Sequence, residues 1–355
     1  MTRNAVIDES DGRTATQSQH GQSGARAEVR VLLSLAPPDG TTRFVDQLVA
    51  EPNPHQKTLF FSWTAALFGR YSVFHVHWPE YLVRSNRWPV RISKHILSWI
   101  FLARLKITRT PVVRTVHNIE PHEPGTRSER LLTSALDRLV CRRIVLNPFT
   151  QVADSVLIPH GHYIDRFSKL QFSSRVSGRV LYFGIIKPYK NVERLLEVFE
   201  EWKVEDSTLH IVGMKTAYTS ERVLGASQAD PRVTTKFSFV PDSDLVREIG
   251  ESELVVLPYK EMHNSGAVFV ALSLARPVLV PANEMSDWIK NEVGPEWVLT
   301  YQGDLNLSTL AAAVAHARGL DTSTAPDLSG RDWALISKRH FAVYSEVQRS
   351  KRCQL

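Results

Sequence analysis

The chain of 355 residues has only two cysteines, Cys141 and Cys353. Two thiols cannot build a disulfide framework or a four-thiolate zinc site, and they suit a reducing compartment, so a cytoplasmic setting is expected. Long apolar runs are missing too. The longest, Ile96 to Ala103, falls far short of the roughly 20 residues that cross a bilayer. The N-terminus lacks a basic stretch followed by an apolar one. Residues 1–28 are instead rich in Ser, Thr, Gln, Gly and charge, which predicts a disordered tail rather than a secretory leader. Neither an H-E-x-x-H motif nor an Asp-rich box occurs, so no metal cofactor is expected. No helix-turn-helix, zinc-finger or RNA-recognition signature occurs either, which argues against a nucleic-acid partner.

What is present is ordinary globular material, with 43% hydrophobic and 23% charged residues. The length is about 2.4 times the roughly 150 residues of a typical domain, which points to two domains. The net charge of +6 is unevenly spread. Between Arg84 and Arg114 lie eight basic residues (Arg84, Arg87, Arg91, Lys94, Arg104, Lys106, Arg109, Arg114) and no acidic one. Within that stretch Trp88, Ile92, Ile96, Trp99 and Ile100 recur at helical spacing, the pattern of a helix lying on an anionic membrane surface. The bland alternative is an amphipathic helix packed on a sheet with a solvated basic face.

Short β-branched runs alternate with helical patterns from end to end, the signature of βαβ units and parallel sheets. Six runs lie at 28–36, 57–63, 72–78, 111–119, 142–148 and 155–161. Six more lie at 179–186, 208–214, 233–240, 253–259, 277–282 and 297–301. The expected fold class is therefore α/β with two Rossmann-like domains facing across a cleft. The first spans 29–168, a polar linker 169–178, and the second 179–330. A helix and tail over 331–355 cross back to the first domain, with Trp333, Ile336, Phe341 and Tyr344 on the buried side. Ligands of such sheets bind at the carboxyl ends of the strands.

Four constellations sit at such ends. In FGIIKPYKN, Gly184 lets a ligand approach the backbone, and Lys187 and Lys190 stand beside a helix expected to open near Asn191. A lysine with free helix N–H groups suits a diphosphate. Read by itself, the same stretch is an ordinary βα loop with solvated lysines. In LPYKEMHNSGAVF, Asn264, Ser265 and Gly266 precede an apolar helix and make a second anion site, while Glu261 is placed to accept sugar hydroxyls or simply to face solvent. In the first half, FHVHWPEY and RTVHNIEPHE bring His75, His77, Glu80, His117, Asn118, Glu120 and Glu123 to strand ends. A histidine there can bond a sugar or act as a base. In IPHGHY, Gly161 reads as a tight turn between His160 and His162. With His75 and His77 these imidazoles also raise a metal alternative.

The order of these pieces resembles the GT-B glycosyltransferases of the large nucleotide-sugar-using type known as glycosyl transferases group 1. FGIIKPYKN and HNSG followed by ALSLARPVLVPA carry most of the likeness, which covers nearly all of 29–350. The chain departs from that pattern in one respect. The usual glutamate pair, eight positions apart, falls on Met262 and Val270, and Ala275 replaces the glycine of the G-x-P-V strand. The chain in this respect resembles a side branch such as the bacterial exopolysaccharide β-mannosyltransferases, some of which invert.

The resemblance implies a UDP- or GDP-sugar donor, as co-substrate, in the second domain. It places a lipid-linked or polysaccharide-precursor acceptor in the first, at the inner face of the plasma membrane. Gly184, Lys187, Lys190, Glu261, Asn264, Ser265 and Gly266 are then the donor residues, and His77, Glu80, Asn118 and His160 contact substrate. His117 touches the sugar or takes the acceptor proton, with Glu120 and Glu123 as the catalytic carboxylates of an inverting reaction. A nucleotide-sugar 2-epimerase and a non-catalytic nucleotide-sugar-binding protein are the alternative functions.

Overall fold

A computed structural model describes residues 28–350, apart from 41–42, 52, 118–124 and 322. The β-rich runs form twelve strands in two sheets. The first contains β1 (Val29–Leu33), β2 (Gln56–Leu59), β3 (Val73–Val76), β4 (Val112–Val116), β5 (Val140–Val145) and β6 (Ser155–Leu157). The second contains β7 (Arg179–Phe183), β8 (Thr208–Val212), β9 (Val233–Lys236), β10 (Leu254–Val256), β11 (Val278–Pro281) and β12 (Val298–Tyr301). Every neighbouring pair is parallel. Inner strands of such sheets are covered on both faces and must be apolar throughout. β3, β10 and β11 accordingly bury every residue, whereas the edge strands β2 and β6 bury none.

The strand orders are β2-β1-β3-β4-β5-β6 and β12-β11-β10-β7-β8-β9. Each order reverses direction once, between β1 and β3 and between β7 and β10. At these two points successive connections leave to opposite sides and open a crevice at the strand ends. The segments after β1 and β3 carry Phe44, in the helix Arg43–Ala50, and His77 and Trp78. Those after β7 and β10 carry Gly184, Lys190 and Asn264–Gly266. Topology alone thus brings the sequence constellations to the two crevices.

The final helix, Trp333–Arg349, belongs to the core of the first sheet. Trp333, Ile336, Val343, Tyr344 and Val347 share one apolar cluster with Val29, Val31, Val73, Val113 and Ile144. Asp332 opens the helix by accepting from the backbone N–H groups of Ala334 and Leu335. Of the expected buried side, Phe341 is only half-buried, and His340 points inward instead. The Tyr344 hydroxyl lies 2.7 Å from His75 Nδ1, and His75 Nε2 lies 2.8 Å from Thr115 Oγ1. Both nitrogens of His75 are therefore used inside the core, which removes it from any metal-ligand set. Gly161 has a reason other than a tight turn. A Cβ there would sit 2.4 Å from the Trp333 ring, so the absent side chain is what lets the last helix close on the crossing segment.

The basic stretch forms the helix Trp88–Ile107. It packs through Ser98, Phe101, Leu102 and Leu105. The apolar positions read from the sequence lie on the other side and face outward: Trp88 is 65% exposed, Ile96 56% and Ile100 51%. Four of the eight cations are committed within the protein. Arg84 pairs with Glu129 and Arg114 with Asp137, Lys94 donates to the carbonyls of Tyr81 and Arg84, and Arg104 donates to that of Gly69. Arg87, Arg91, Lys106 and Arg109 are exposed. Among the described residues, no helix is long and apolar enough to cross a membrane.

Burial keeps the core imidazoles uncharged. It pushes His340 down to about 4 and His75 well below the usual histidine value, helped in the latter by neighbouring His340. The unfolded chain takes up these protons near pH 6.5 while the native chain refuses them, so stability is full above 6.5 and falls as the pH drops toward 4. Each such group contributes at most about 1.4 kcal/mol per pH unit in that window. Thermal melts between pH 7.5 and 5 are expected to show a falling Tm, and the fall should be shallower in His340→Leu. A Tm unchanged over that range would contradict the assignment.

Candidate functional site

On the first sheet, β3 and β4 run side by side with His75 opposite Val113, so the residues just beyond their ends meet. His77 Nδ1 lies 3.0 Å from His117 Nε2, one ring donating to the other. Ser34, beyond β1, accepts from the backbone N–H of His77 at 2.9 Å. Trp78 stacks on His117 with ring centres 4.2 Å apart. Phe44 presents its ring to His77, His117, His160 and Trp333, with centres 5.1 to 5.9 Å away. Burial, with the positive field of His160 and Arg114, brings His117 down to about 3, and burial brings His160 down to about 4. Burial likewise holds His77 well below the ordinary range. All three are neutral hydrogen-bonding groups at physiological pH.

On the second sheet, two glycines shape the crevice floor. Gly184 (φ 118°) and Gly213 (φ 149°) end β7 and β8, and a Cβ on Gly213 would lie 2.1 Å from the Gly184 carbonyl oxygen. Only glycine permits that approach with those dihedrals. Above the floor, an apolar pocket of about 300 Å³ is lined by residues that include Gly184, Met214, Phe239 and Val240. Beside it, Tyr189, Lys190, Tyr259, Glu261 and the loop Asn264–Gly266 enclose a second pocket of about 140 Å³. Lys190 joins the two. Its Nζ sits 5.1 Å from the centre of the Tyr259 ring and 3.2 Å from where a Gly184 Cβ would be. Ser265 stands at the start of the helix Gly266–Leu272 with no side-chain cap bond, which leaves its hydroxyl and the first N–H groups facing the pocket.

The two halves meet at two junctions. At one, Asn264 Nδ2 donates to the His117 carbonyl oxygen at 2.7 Å, and Asn147 Nδ2 donates to Asn264 Oδ1 at 2.9 Å. At the other, Arg166 pairs with Asp46 of the first half at 2.7 Å and with Asp242 of the second at 2.5 Å. His160 lies between the halves. Its ring stacks on Phe269, its Nδ1 donates to the Gly161 carbonyl oxygen at 2.8 Å, and its Nε2 lies 3.0 Å from where a Gly266 Cβ would be.

Of the donor residues expected from sequence, Gly184, Lys190, Glu261, Asn264, Ser265 and Gly266 gather around the paired pockets. Lys187 stands at the start of the turn Pro188–Lys190 that delivers Lys190. Glu261 points outward, its side chain 81% exposed and 3.4 Å from His263 Nε2, so it rims the pocket. Asn191 does not cap the helix that follows it; it adopts a left-handed conformation with no side-chain bond.

On the acceptor side two of the expected residues lie deep. His77 is 2% exposed and bonds to the His117 ring. His160 is walled in by Phe44, Phe269 and Trp333 and forms the floor between the halves. Glu80 lies in the turn Pro79–Leu82 just past Trp78. Asn118, Glu120 and Glu123 lie outside the described residues, as do residues 1–27 of the expected tail. The metal alternative drawn from paired histidines does not assemble. Among the described residues the one group with ligand spacing is His162, Asp165 and Asp332, and Asp332 already caps the last helix. Sequence reasoning passed over Phe44, Asn147, Arg166 and Arg331, none of which stands in a recognisable motif.

No protein-family model matches the chain. It is 40% identical over 332 residues, 92% of its own length and 95% of the relative's, to the GDP-mannose:glycolipid 4-beta-D-mannosyltransferase of Xanthomonas campestris pv. campestris. Among solved structures, HepE of Anabaena in complex with UDP matches at a TM-score of 0.63 and 13% identity, over 90% of this chain and 100% of that one. Sucrose-phosphate synthase of Thermosynechococcus elongatus matches at 0.59 and 15%, over 90% and 99%. At such low identity these structures speak for the shared two-sheet architecture. The near full-length sequence match goes further, and by it the chain belongs to the family of GT-B glycosyltransferases that includes the Xanthomonas GDP-mannose:glycolipid mannosyltransferase.

Proposed function

We propose that this glycosyltransferase moves mannose from GDP-mannose to the saccharide of a lipid-linked acceptor, without a metal cofactor, while resting on an anionic membrane surface. The observation that carries the donor and acceptor classes is the 40% identity to a relative named for both, spanning 95% of that relative. The crevice chemistry agrees with it. The apolar pocket beyond Gly184 suits a flat purine ring, and Lys190, the Ser265 hydroxyl and the N–H groups of Gly266 and Ala267 face a diphosphate placed next to it. Negative charge grows on that leaving group in the transition state, and preorganised donors there lower the barrier. These donors fill the role that a divalent cation has in other sugar transfers.

A β-mannoside formed from an α-linked nucleotide sugar requires inversion at the anomeric carbon. The acceptor oxygen forms the new bond as the carbon–oxygen bond to the diphosphate breaks, and a base takes the acceptor proton. His117, neutral and lowered to about 3, is too weak a base for that step near pH 7. It suits a hydrogen bond to a sugar hydroxyl. Glu120 and Glu123, three and six positions further along, are the carboxylates assigned to the proton.

GDP is expected to raise the Tm of the protein at millimolar concentration more than UDP does, and Lys190→Ala should abolish most of that shift by removing the one lysine that lines the pocket. Equal shifts with both nucleotides would refute the base assignment. Replacing the true base among Glu120→Gln and Glu123→Gln is expected to lower kcat by about 100-fold or more with little change in GDP affinity. Two variants of wild-type rate would move the proton elsewhere.

The helix Trp88–Ile107 supports the membrane part of the reading, since its outward face joins exposed apolar side chains to Arg87, Arg91, Lys106 and Arg109. Cosedimentation with vesicles containing anionic lipid is expected for the intact protein. It should be weakened by Trp88→Ser combined with Ile96→Ser and by high salt. Binding that ignores both changes would place the membrane contact on another surface.

A further inference from the structure

Asn147 follows β5 in the first half and is 3% exposed, an amide buried where the two halves meet. Its Oδ1 accepts from the backbone N–H groups of Phe149 and Thr150, both at 2.9 Å, and from the Thr150 hydroxyl at 3.1 Å. Backbone N–H groups only donate, so the atom facing them is oxygen and the Nδ2 group faces the other way. That group meets Asn264 at 2.9 Å and, more weakly, the His263 carbonyl at 3.5 Å. Asn264 must then present its own oxygen to Asn147, which turns its Nδ2 toward the His117 carbonyl oxygen at 2.7 Å, an atom that can only accept. Each amide fixes the next. The direction of the whole chain, from the turn after β5 through the donor loop to His117, admits one arrangement.

We infer that Asn147 is a positioning residue which, through Asn264, locks the donor loop to His117 and so sets the separation between the leaving diphosphate and the acceptor. The inference rests on the transferase reading for its consequence and on geometry for its existence. Asn264 is the central link because it does two things at once. Its side chain bridges to the first half, while its backbone leads directly into Ser265 and Gly266 at the diphosphate pocket. A donor seated on those residues holds the loop in place. The loop in turn fixes the backbone of His117, whose ring is already set by His77 Nδ1 and by the stacked Trp78. Donor occupancy is thereby felt in the acceptor half through three neutral hydrogen bonds.

A purely structural role for Asn147 would end at its own turn, which needs only an oxygen at the δ position. The amide nitrogen has no part in that turn and serves the relay alone. Asn147→Asp therefore separates the two roles, since it keeps an acceptor for Phe149 and Thr150 and sets oxygen against oxygen at Asn264. Asn264→Asp does the same one link further on, at a half-buried position, by facing a carboxylate to the His117 carbonyl.

The test measures three quantities on the full chain: kcat for transfer from GDP-mannose, GDP affinity, and hydrogen exchange of the backbone amides at 262–266 without ligand. In Asn147→Asp, kcat should fall at least tenfold, GDP affinity should change less than twofold, and exchange at 262–266 should quicken. Asn264→Asp should also lower kcat and quicken exchange, with weaker GDP binding as well because its carboxylate lines the diphosphate pocket, and the double variant should have a kcat no worse than the poorer single one within twofold, because both changes break one chain of bonds. Wild-type kcat in Asn147→Asp, kcat losses that multiply in the double variant, or a fall in GDP affinity parallel to kcat in Asn147→Asp would overturn the relay. If wild-type protein transfers nothing from GDP-mannose, the substrate reading fails by itself. The exchange measurement, which needs no substrate, then decides the relay: unchanged exchange at 262–266 in both variants overturns it.

Discussion

A guanidinium with no exposure to solvent organises the junction of this protein. Arg331 donates to the His160 carbonyl oxygen at 2.9 Å and to Glu292 at 2.6 Å, and it lies 4.0 Å over the Phe269 ring and 4.8 Å over that of Trp288. Its own carbonyl accepts from the His162 N–H at 3.1 Å. A buried charge left without partners is strongly destabilising, so these groups are constrained to converge on it. They come from the segment 160–162 and from two helices of the second half. Once Arg331 is satisfied, His160 is pinned beside Gly266, Trp333 is set against Gly161, and the final helix begins where it can reach the first sheet. The cleft inherits its floor from that arrangement.

The twelve strands were legible because the inner strands of parallel sheets are apolar on both faces and leave uninterrupted β-branched runs such as VVL and VLV. The loops at strand ends were legible for a related reason, since glycine, lysine and histidine break those runs where a side chain turns to a ligand. What a single sequence does not encode locally is which of two alternate residues faces the cleft. His75 and His77 both lie on one side of β3, yet one is sealed under Tyr344 and the other stands behind His117. The destination of His75 depends on a helix more than 250 positions away, and that of His77 on the end of a neighbouring strand. Asn147 and Arg331 were invisible for the same reason, because the partners that give them a role lie far off along the chain. An Asn before a proline and an Arg before an aspartate are ordinary loop material until the fold brings those partners in. Gly161 was legible as a special position, but for the wrong cause. Its signal was real, and the tryptophan that explains it lies at the other end of the chain.

Charge followed a similar course. The cluster between Arg84 and Arg114 reads as one basic patch, but half of its members are spent on internal carbonyls and carboxylates that hold the helix in place. The remaining cations sit among outward-facing apolar side chains. The helix thus has two working faces, one that belongs to the fold and one that the fold leaves unpartnered.

Arg166 and Asn264 join the two halves by different physics. One junction is a guanidinium shared by two carboxylates, partly buried, and the other is a run of neutral amides worth about 1 kcal/mol apiece. Salt screens the first, which is a contact between charges, and leaves the second as it is. The halves are therefore fastened by one set of bonds that responds to ionic strength and one that does not.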